Sequence, residues 1–251
     1  MYKNERQKEI QQILLKEGYV TVEYLSQKIH ISPSSIRRDL QDLEKKGQVQ
    51  RSYGGVELLN TPNRFVPFTM RSHKNASVKK SIAQRAASLI QMGNVIFLDA
   101  SSSAYFMAEP LSSLKDITVI TNSIDTLYLL SQYNIKTYST GGLISSENRS
   151  CLAGPSAVRT VREFQADFLF FSAQAISSNG IISDCYEQEV FLRQAMMQNA
   201  GQTVFLCDES KLGQRSIFKL CDISNVDTII CNTALDGYFE RTYPSLNILQ
   251  T

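Results

Sequence analysis

Histidine is nearly missing from this chain: 251 residues hold two, His30 and His73, and none follows them. The five cysteines, at 151, 185, 207, 221 and 231, are odd in number and form no C-x-x-C pair. That spacing argues against a zinc site or a disulfide framework, so free thiols in a reducing compartment are expected, with no metal and no cofactor. No apolar run approaches the roughly 20 residues of a membrane-crossing helix, and Met1–Gln11 is too polar for a signal peptide. A cytoplasmic protein with no membrane partner is expected. Neither an internal repeat nor a low-complexity segment occurs. The length suits one small and one medium domain.

The near-neutral total charge conceals an asymmetry. Residues 1–80 carry 15 Lys and Arg against 8 Asp and Glu, a net of +7, whereas residues 81–251 carry 11 against 16, a net of −5. A basic amino-terminal third on an acidic body concentrates attraction to phosphate at that end. Within it, Leu58–Lys80 holds Arg64, Arg71, Lys74, Lys79 and Lys80, no acid, and prolines at 62 and 67. This stretch reads as a linker that either tracks a phosphate backbone or is simply solvated.

The basic third also has a distinctive pattern. Ile10, Ile13 and Leu14 give a helical seam in Glu5–Glu17, closed by Gly18. Val22, Leu25 and Ile29 give a second, from Thr21 to His30. A short turn then leads to Ser32, a good N-cap, and Pro33, which a helix tolerates at its first position. Ile36, Leu40 and Leu43 recur at i, i+4 and i+7, which turns Ser34, Arg38, Gln41 and Lys45 to the opposite face. That face carries Arg for guanine edges, Gln for adenine, and Ser and Lys for phosphate. Gly47 ends the helix, and Gln48–Glu57 alternates loosely around Arg51 and a Gly54-Gly55 turn. Three short helices followed by a basic hairpin predict a winged helix-turn-helix.

Arg6-Gln7-Lys8-Glu9-Ile10, Tyr19-Val20-Thr21-Val22, Ile36-Arg37-Arg38-Asp39-Leu40, Leu43-Glu44-Lys45-Lys46-Gly47 and Arg51-Ser52-Tyr53-Gly54-Gly55 closely resemble the DeoR family of bacterial transcriptional regulators. Tyr53 stands where that family usually has His. Taken with the exposed face, the resemblance implies a DNA-contacting set of Arg6, Thr21, Ser32, Ser34, Ser35, Arg37, Arg38, Gln41, Lys45, Arg51, Tyr53 and Gly54.

From Ser77 onward apolar, β-rich runs alternate with helical patterns. Strands are predicted at Val95–Asp99, Ile117–Thr121, Lys136–Ser139, Asp167–Ser172, Thr203–Asp208 and Asp227–Cys231. Helices are predicted near 77–92, 102–114, 124–133, 155–164, 187–200 and 234–240. Such alternation argues an α/β domain with a mainly parallel sheet covered on both faces. The expected organisation is a head at 1–57, a basic linker at 58–76 and an α/β domain at 77–251.

Ligands in such sheets bind beyond the carboxyl ends of the strands. Three loops stand there: Ala100-Ser101-Ser102-Ser103, opening a helix as a phosphate cradle; Thr121-Asn122-Ser123; and Thr140-Gly141-Gly142, whose glycines allow close approach. Together they point to a shared anionic site. The resemblance extends here through Ile96–Ser102, Thr118–Ser123, Thr140–Gly142, Asp208–Gly213 and Asp227–Ile230, which look like the DeoR sensor domain, similar in fold to sugar-phosphate isomerases. It implies a phosphorylated sugar effector. Ser101, Ser102 and Ser103 would hold the phosphate with Asn122, Gly141 and Gly142 nearby. Lys211 would reach the anion, while Asp99 and Glu189 would face sugar hydroxyls. Asp99 could instead cap its own loop, and Lys211 could be a turn residue. Tyr133 and Tyr138 would either line a sugar pocket or, the preferred reading, sit in the core. The run Ser172–Ile176 and the Ala-Ser-Ser-Ser loop depart from the commoner family patterns.

An isomerase of the related fold needs a general base beside the sugar carbon. The larger domain has no histidine and no Asp-Gly-Ala-Asp-Glu run, although Asp99, Asp184, Glu187 and Glu189 could supply a carboxylate. An architectural DNA binder would leave the α/β domain unexplained. The expectation is a non-enzymatic regulator, a repressor of a sugar operon, binding double-stranded operator DNA as a dimer or tetramer.

Overall fold

The computed structural model describes all residues except Met1, Tyr53, Gly54, 59–65, Pro67 and Asp236, together with the backbone but not the side chains of Leu15, Lys16, Ser52, Tyr238 and Glu240. The chain divides into two compact units, Met1–Lys74 and Asn75–Thr251.

The first unit runs α1 (Lys3–Glu17), β1 (Val20–Thr21), α2 (Val22–Ile29), α3 (Pro33–Lys45), β2 (Val49–Ser52), β3 (Gly55–Leu58) and α4 (Phe68–His73). Ile10, Leu14, Leu25, Ile29, Ile36, Leu40 and Leu43, the apolar seams of the three helices, close on one another and on Val20, Val49 and Val56 of a small antiparallel sheet ordered β1-β3-β2. The strand β1, two residues long, was too short to leave a period-2 signal. Part of the expected linker folds as α4, and Lys74 pairs with Glu57 at 2.9 Å.

Arg6 of α1 binds Asp39 of α3 through both ends of its fork, Nη2 lying 3.1 Å from Oδ1. Asp39 is buried, so this pair ties α1 to α3 from within, and Asp39 raises the Arg6 pKa by accepting its hydrogen bonds. Arg6→Met is expected to cost about 2 kcal/mol, below the roughly 3–5 of a fully buried pair because solvent reaches part of Arg6. Arg37→Met, which breaks the exposed pair with Glu23 at 3.2 Å, is expected to cost under about 1 kcal/mol. Equal urea midpoints for the two variants would show that the Arg6–Asp39 pair does not hold the helices.

The second unit begins with α5 (Ala76–Ala87). It continues through β4 (Val95–Leu98), α6 (Ser102–Tyr105), α7 (Ala108–Leu111), β5 (Thr118–Thr121), α8 (Ile124–Gln132), β6 (Lys136–Ser139), β7 (Leu143–Ile144), β8 (Leu152–Ala153) and α9 (Pro155–Arg162). Next come β9 (Ala166–Phe171), β10 (Ala175–Ile176), β11 (Ile181–Asp184), α10 (Glu187–Gln198), β12 (Ala200–Cys207), β13 (Phe218–Asp222), β14 (Thr228–Cys231), α11 (Gly237–Thr242) and β15 (Asn247–Gln250). Seven parallel strands form the main sheet in the order β15-β14-β12-β9-β4-β5-β6. Side chains alternate across it. Phe97, Phe171 and Phe205 enter one core, while Ile96, Leu98, Phe170, Val204 and Leu206 enter the other. Burial on both faces explains why these strands read as unbroken apolar runs.

All six predicted strands are present. The predicted helix over 102–114 is instead two single turns, with Pro110 tolerated inside the short α7 because no preceding helical turn needs its missing N–H. The edge strand β15, the hairpin β7–β8 and the antiparallel sheet β10-β11-β13 lie in segments too short or too polar for pattern reading. Tyr133 and Tyr138, expected in the core, are 38% and 42% exposed. Tyr138 sits on the edge strand β6, where its ring meets only Phe164 among the aromatic neighbours described.

The strand order runs outward from β4 in two directions: β5 and β6 to one side, β9 and the later strands to the other. The carboxyl ends of β4 and β9 therefore border a topological switch point. No helix among the described residues is long and apolar enough to cross a membrane.

Candidate nucleic-acid interface and effector site

In the first unit, α3 starts from Ser32, whose hydroxyl accepts from Ser35 N at 3.4 Å and contacts the Ser34 and Ser35 hydroxyls at 3.1 and 3.0 Å. The buried Ile36–Leu40–Leu43 seam fixes the rotation of the helix and leaves Ser34, Arg37, Arg38, Gln41 and Lys45 exposed, as the periodicity requires. Arg38 and Gln41 make no hydrogen bond or ion pair among the described residues, so their polar ends stay available for base edges. Three expected contact residues hold structural positions instead. Thr21 caps α2 by accepting from Tyr24 N at 3.0 Å, Ser32 caps α3, and Arg6 is spent on Asp39 because a buried carboxylate demands a partner. Ser35 is half-buried. In the wing, Arg51 leans toward Glu44 at 3.7 Å, while Tyr53 and Gly54 lie outside the described residues.

In the second unit, the strand-end loops converge at the switch point. Asp99 follows β4 and is fully buried. It accepts from Ser101 N and from Ser172 N, each at 3.1 Å, and so joins the ends of β4 and β9. Ser101 caps α6 through Ala104 N at 3.1 Å. Ser102 accepts from the Lys79 ammonium at 3.0 Å, and Ser172 meets the Lys211 ammonium. Lys211 ends a 3-10 turn and stands 3.8 Å from Asp208. Burial alone would push the Asp208 carboxyl up, but Lys211, the Ser210 hydroxyl and Lys79 outweigh it and hold it below the usual range. Two sheltered ammonium groups thus act on one carboxylate, and each also meets a hydroxyl, Ser102 or Ser172.

Two buried oxygens here, Ser103 Oγ and Asn122 Oδ1, have no hydrogen-bond partner among the described residues. Leaving such groups unmatched costs about 1–3 kcal/mol each. Asn122 Nδ2 is held by Leu152 O at 3.2 Å and Cys151 Sγ at 3.1 Å. Cys151 and Ala153 pack with Ala100. Gly142, at φ +103°, backs onto this strand so closely that a Cβ would stand 2.5 Å from Ala153 O, so only glycine fits. Gly141 also has positive φ, and its N–H donates to Ser139 Oγ at 3.0 Å.

Asp99 and Glu189, expected to face sugar hydroxyls, are turned onto Arg193 instead. The Arg193 guanidinium lies 3.2 Å from Asp99, 2.7 Å from Asp184 and 2.8 Å from Glu189, and Glu189 also accepts from Asn148 at 2.7 Å. All four charged residues are buried, which forces them to satisfy one another. Burial pushes the Asp99 carboxyl above its ordinary value despite the neighbouring guanidinium. Burial alone would lower the Arg193 pKa, but its three carboxylates raise it.

Lys79, Ser172, Asp208, Asn148 and Arg193 were not among the expected site residues. Lys79 lies within the helix predicted near 77–92; it belongs to α5 and is 4% exposed. Its spacing to Ile82, Ala83 and Ala86 puts it on the buried seam of that helix. Arg193 likewise shares a stripe with Glu189, Leu192 and Met196. A charge within an apolar seam was the available signal in both cases. No group of side chains suited to holding a metal ion is found among the described residues.

A winged helix-turn-helix followed by an α/β domain with polar side chains gathered at its strand ends is the architecture of a transcriptional regulator with a second, sensor-like domain. The DeoR-like helix-turn-helix domain matches residues 6–62 and the DeoR C terminal sensor domain residues 74–233, and the chain belongs to the DeoR family. It is 33% identical to the uncharacterized HTH-type transcriptional regulator YulB of Bacillus subtilis over 92% of this chain and 90% of that protein. It is 34% identical to the L-fucose operon activator of Haemophilus influenzae over 95% of each. It is 31% identical to the HTH-type transcriptional repressor GlcR of Bacillus subtilis, over 92% of this chain and 88% of that one. It is a transcriptional regulator, as these relatives are, and not an enzyme. Ribose 5-phosphate isomerase A from Methanocaldococcus jannaschii aligns with 55% of this chain and 55% of its own at 22% identity and a TM-score of 0.42, a likeness too slight to bear on function.

Proposed function

We propose that the chain is a sequence-specific repressor of a sugar uptake or catabolic operon, and that a phosphorylated sugar bound to the second unit modulates its hold on operator DNA. The observation that carries the effector reading is the placing of buried Lys79 and half-buried Lys211 on the hydroxyls of Ser102 and Ser172, in loops that also hold two unmatched buried oxygens. A phosphoryl group supplies what such a site requires: negative charge for the ammonium groups and acceptors for the hydroxyls. The L-fucose operon activator and the repressor GlcR support operon control as the task, and their names carry both signs of regulation.

In this reading residues 1–57 form the DNA-binding head, 58–76 the connector and 77–251 the sensor. The sensors self-associate as dimers or tetramers and set two or more heads at the spacing of operator half-sites. A protein that reads operator DNA works in the cytoplasm, where that DNA lies. The effector shifts the population between DNA-competent and incompetent arrangements, by no more than its differential affinity for them. Arg38, Gln41, Ser34, Ser35, Arg37, Lys45 and the wing residues Arg51, Tyr53 and Gly54 contact DNA. Ser101, Ser102, Ser103, Asn122, Gly141, Gly142 and Lys211, joined by Lys79 and Ser172, surround the effector.

The deciding experiment measures binding of the protein to DNA upstream of its own operon, with and without a panel of sugar phosphates and their unphosphorylated forms. Specific binding altered by one phosphorylated sugar and not by its free form is expected. Binding that no compound alters would overturn the sensor reading, and no specific binding would overturn both. In the same assay Arg38→Ala is expected to cost about 1–3 kcal/mol and to relax base preference. Unchanged specificity would move Arg38 to a phosphate-contacting role.

A further inference from the structure

A concavity of about 220 Å³ opens on the antiparallel sheet β10-β11-β13 and shares no lining residue with the lysine site. Arg215 and Lys219 contribute its charge, Ser177, Ser183 and Ser216 its hydroxyls, and Asn179 an amide. Neither cation forms an ion pair among the described residues, although this part of the chain carries an acidic excess. Two spare cations converging on one hollow in an acidic domain point to an anion.

The walls are held in place. Ser177 and Ser183 are buried, with Ser177 Oγ 2.5 Å from Asn179 Oδ1 and Ser183 Oγ accepting from Ser216 N at 2.9 Å. The β11–β13 ladder slips between Ile182 and Ser183, and this irregularity sets Ser183 opposite Lys219. Such bulges re-aim side chains and recur beside binding sites. The guanidinium fork and ammonium suit a tetrahedral oxyanion. The volume is small against the roughly 300–1,000 Å³ of pockets for drug-sized ligands, and so fits a phosphoryl group on a compact metabolite.

We propose that this pocket is a second phosphate-binding site, separate from the lysine site, that takes the phosphoryl group of a small metabolite. Ser216 Oγ donates to Gln174 Oε1 at 2.5 Å, and Gln174 lies two residues beyond Ser172, the hydroxyl that meets Lys211. Along the chain, Arg215 follows Lys211 by four residues.

The test is a titration of the ¹⁵N-labelled full-length protein with inorganic phosphate, at ionic strength held constant with sodium chloride. Saturable shifts of the Gly180 and Ser216 amides are expected. Arg215→Ala combined with Lys219→Ala should weaken phosphate there by about tenfold or more, while leaving the Ser102 amide response and the melting midpoint as in the wild type. Lys79→Met should leave the Gly180 response in place, so that failure of the effector reading and failure of this one are told apart. Shifts that do not saturate, or that persist in the double variant, would overturn the proposal. So would loss of the Gly180 response in Lys79→Met, which would mean a single site.

Discussion

Arg193→Met is expected to destabilise the second unit by about 3–5 kcal/mol at neutral pH, the usual cost of stripping one partner from a buried ion cluster. Arg193 lies within 3.2 Å of Asp99, 2.7 Å of Asp184 and 2.8 Å of Glu189, all buried. Without the guanidinium, three carboxylates would face one another in a poorly solvated space. The pH dependence follows from the direction of the shifts. Asp99 already has a raised pKa in the folded protein, chiefly through burial. A raised carboxyl binds its proton more tightly folded than unfolded, so its contribution is fully present below the unfolded value, about 4, and is lost as pH rises through the folded value. Removing Arg193 raises Asp99 further and lifts its neighbours too. The gap in urea midpoint between wild type and variant should therefore narrow as pH falls from about 8 to about 5. Arg193→Lys, which keeps the charge but loses the fork, should fall between the two. A pH-independent gap would show that the loss comes from packing and not from charge.

The second large effect concerns the lysine site. Lys79→Met and Lys211→Met are each expected to weaken a responsive sugar phosphate by about 10- to 100-fold, since a charge-assisted hydrogen bond contributes about 1.5–3 kcal/mol. Operator binding in the absence of effector should be unchanged, because the exposed face of α3 belongs to the other compact unit. Ser102→Glu extends the argument. It brings a fixed carboxylate to the hydroxyl position that now accepts from Lys79 at 3.0 Å, neutralising the cation and repelling phosphate. The response to effector should vanish while DNA binding persists. Calorimetric titration of the three variants with the responsive sugar phosphate checks these outcomes. Wild-type affinity in any of them would remove that side chain from the site.

What could be read along the chain depended on how local its physical cause was. The recognition helix was legible because its cap, its first-turn proline and its i, i+4, i+7 seam are neighbours in sequence. Rotating Ile36, Leu40 and Leu43 inward leaves Arg38 and Gln41 outward without reference to anything distant. The parallel sheet was legible for a similar reason, since strands buried on both faces must be apolar throughout. Loops at strand ends then pointed to Ser101–Ser103, Asn122 and Gly142. The partners of those loops were not legible. Lys79 lies 23 residues before the serine it meets and Lys211 lies 39 after its own. Asp99 is 94 positions from Arg193, and nothing near it in sequence distinguishes a ligand-facing carboxylate from one already claimed.

The sequence alone therefore determined the class of each unit, the rotation of the exposed helix-turn-helix face and the strand ends that carry the polar loops. These follow from helical and strand periodicity, caps and charge distribution, all of which act over a few residues. Only the tertiary structure decided which charges are free. It assigned Arg6 to Asp39, turned Asp99 and Glu189 onto Arg193, and brought Lys79 and Lys211 to one strand-end site. The reason is energetic: a buried charge is stable only against whichever opposite charge or hydrogen-bond partner the fold brings within reach, and that choice is made across the sheet.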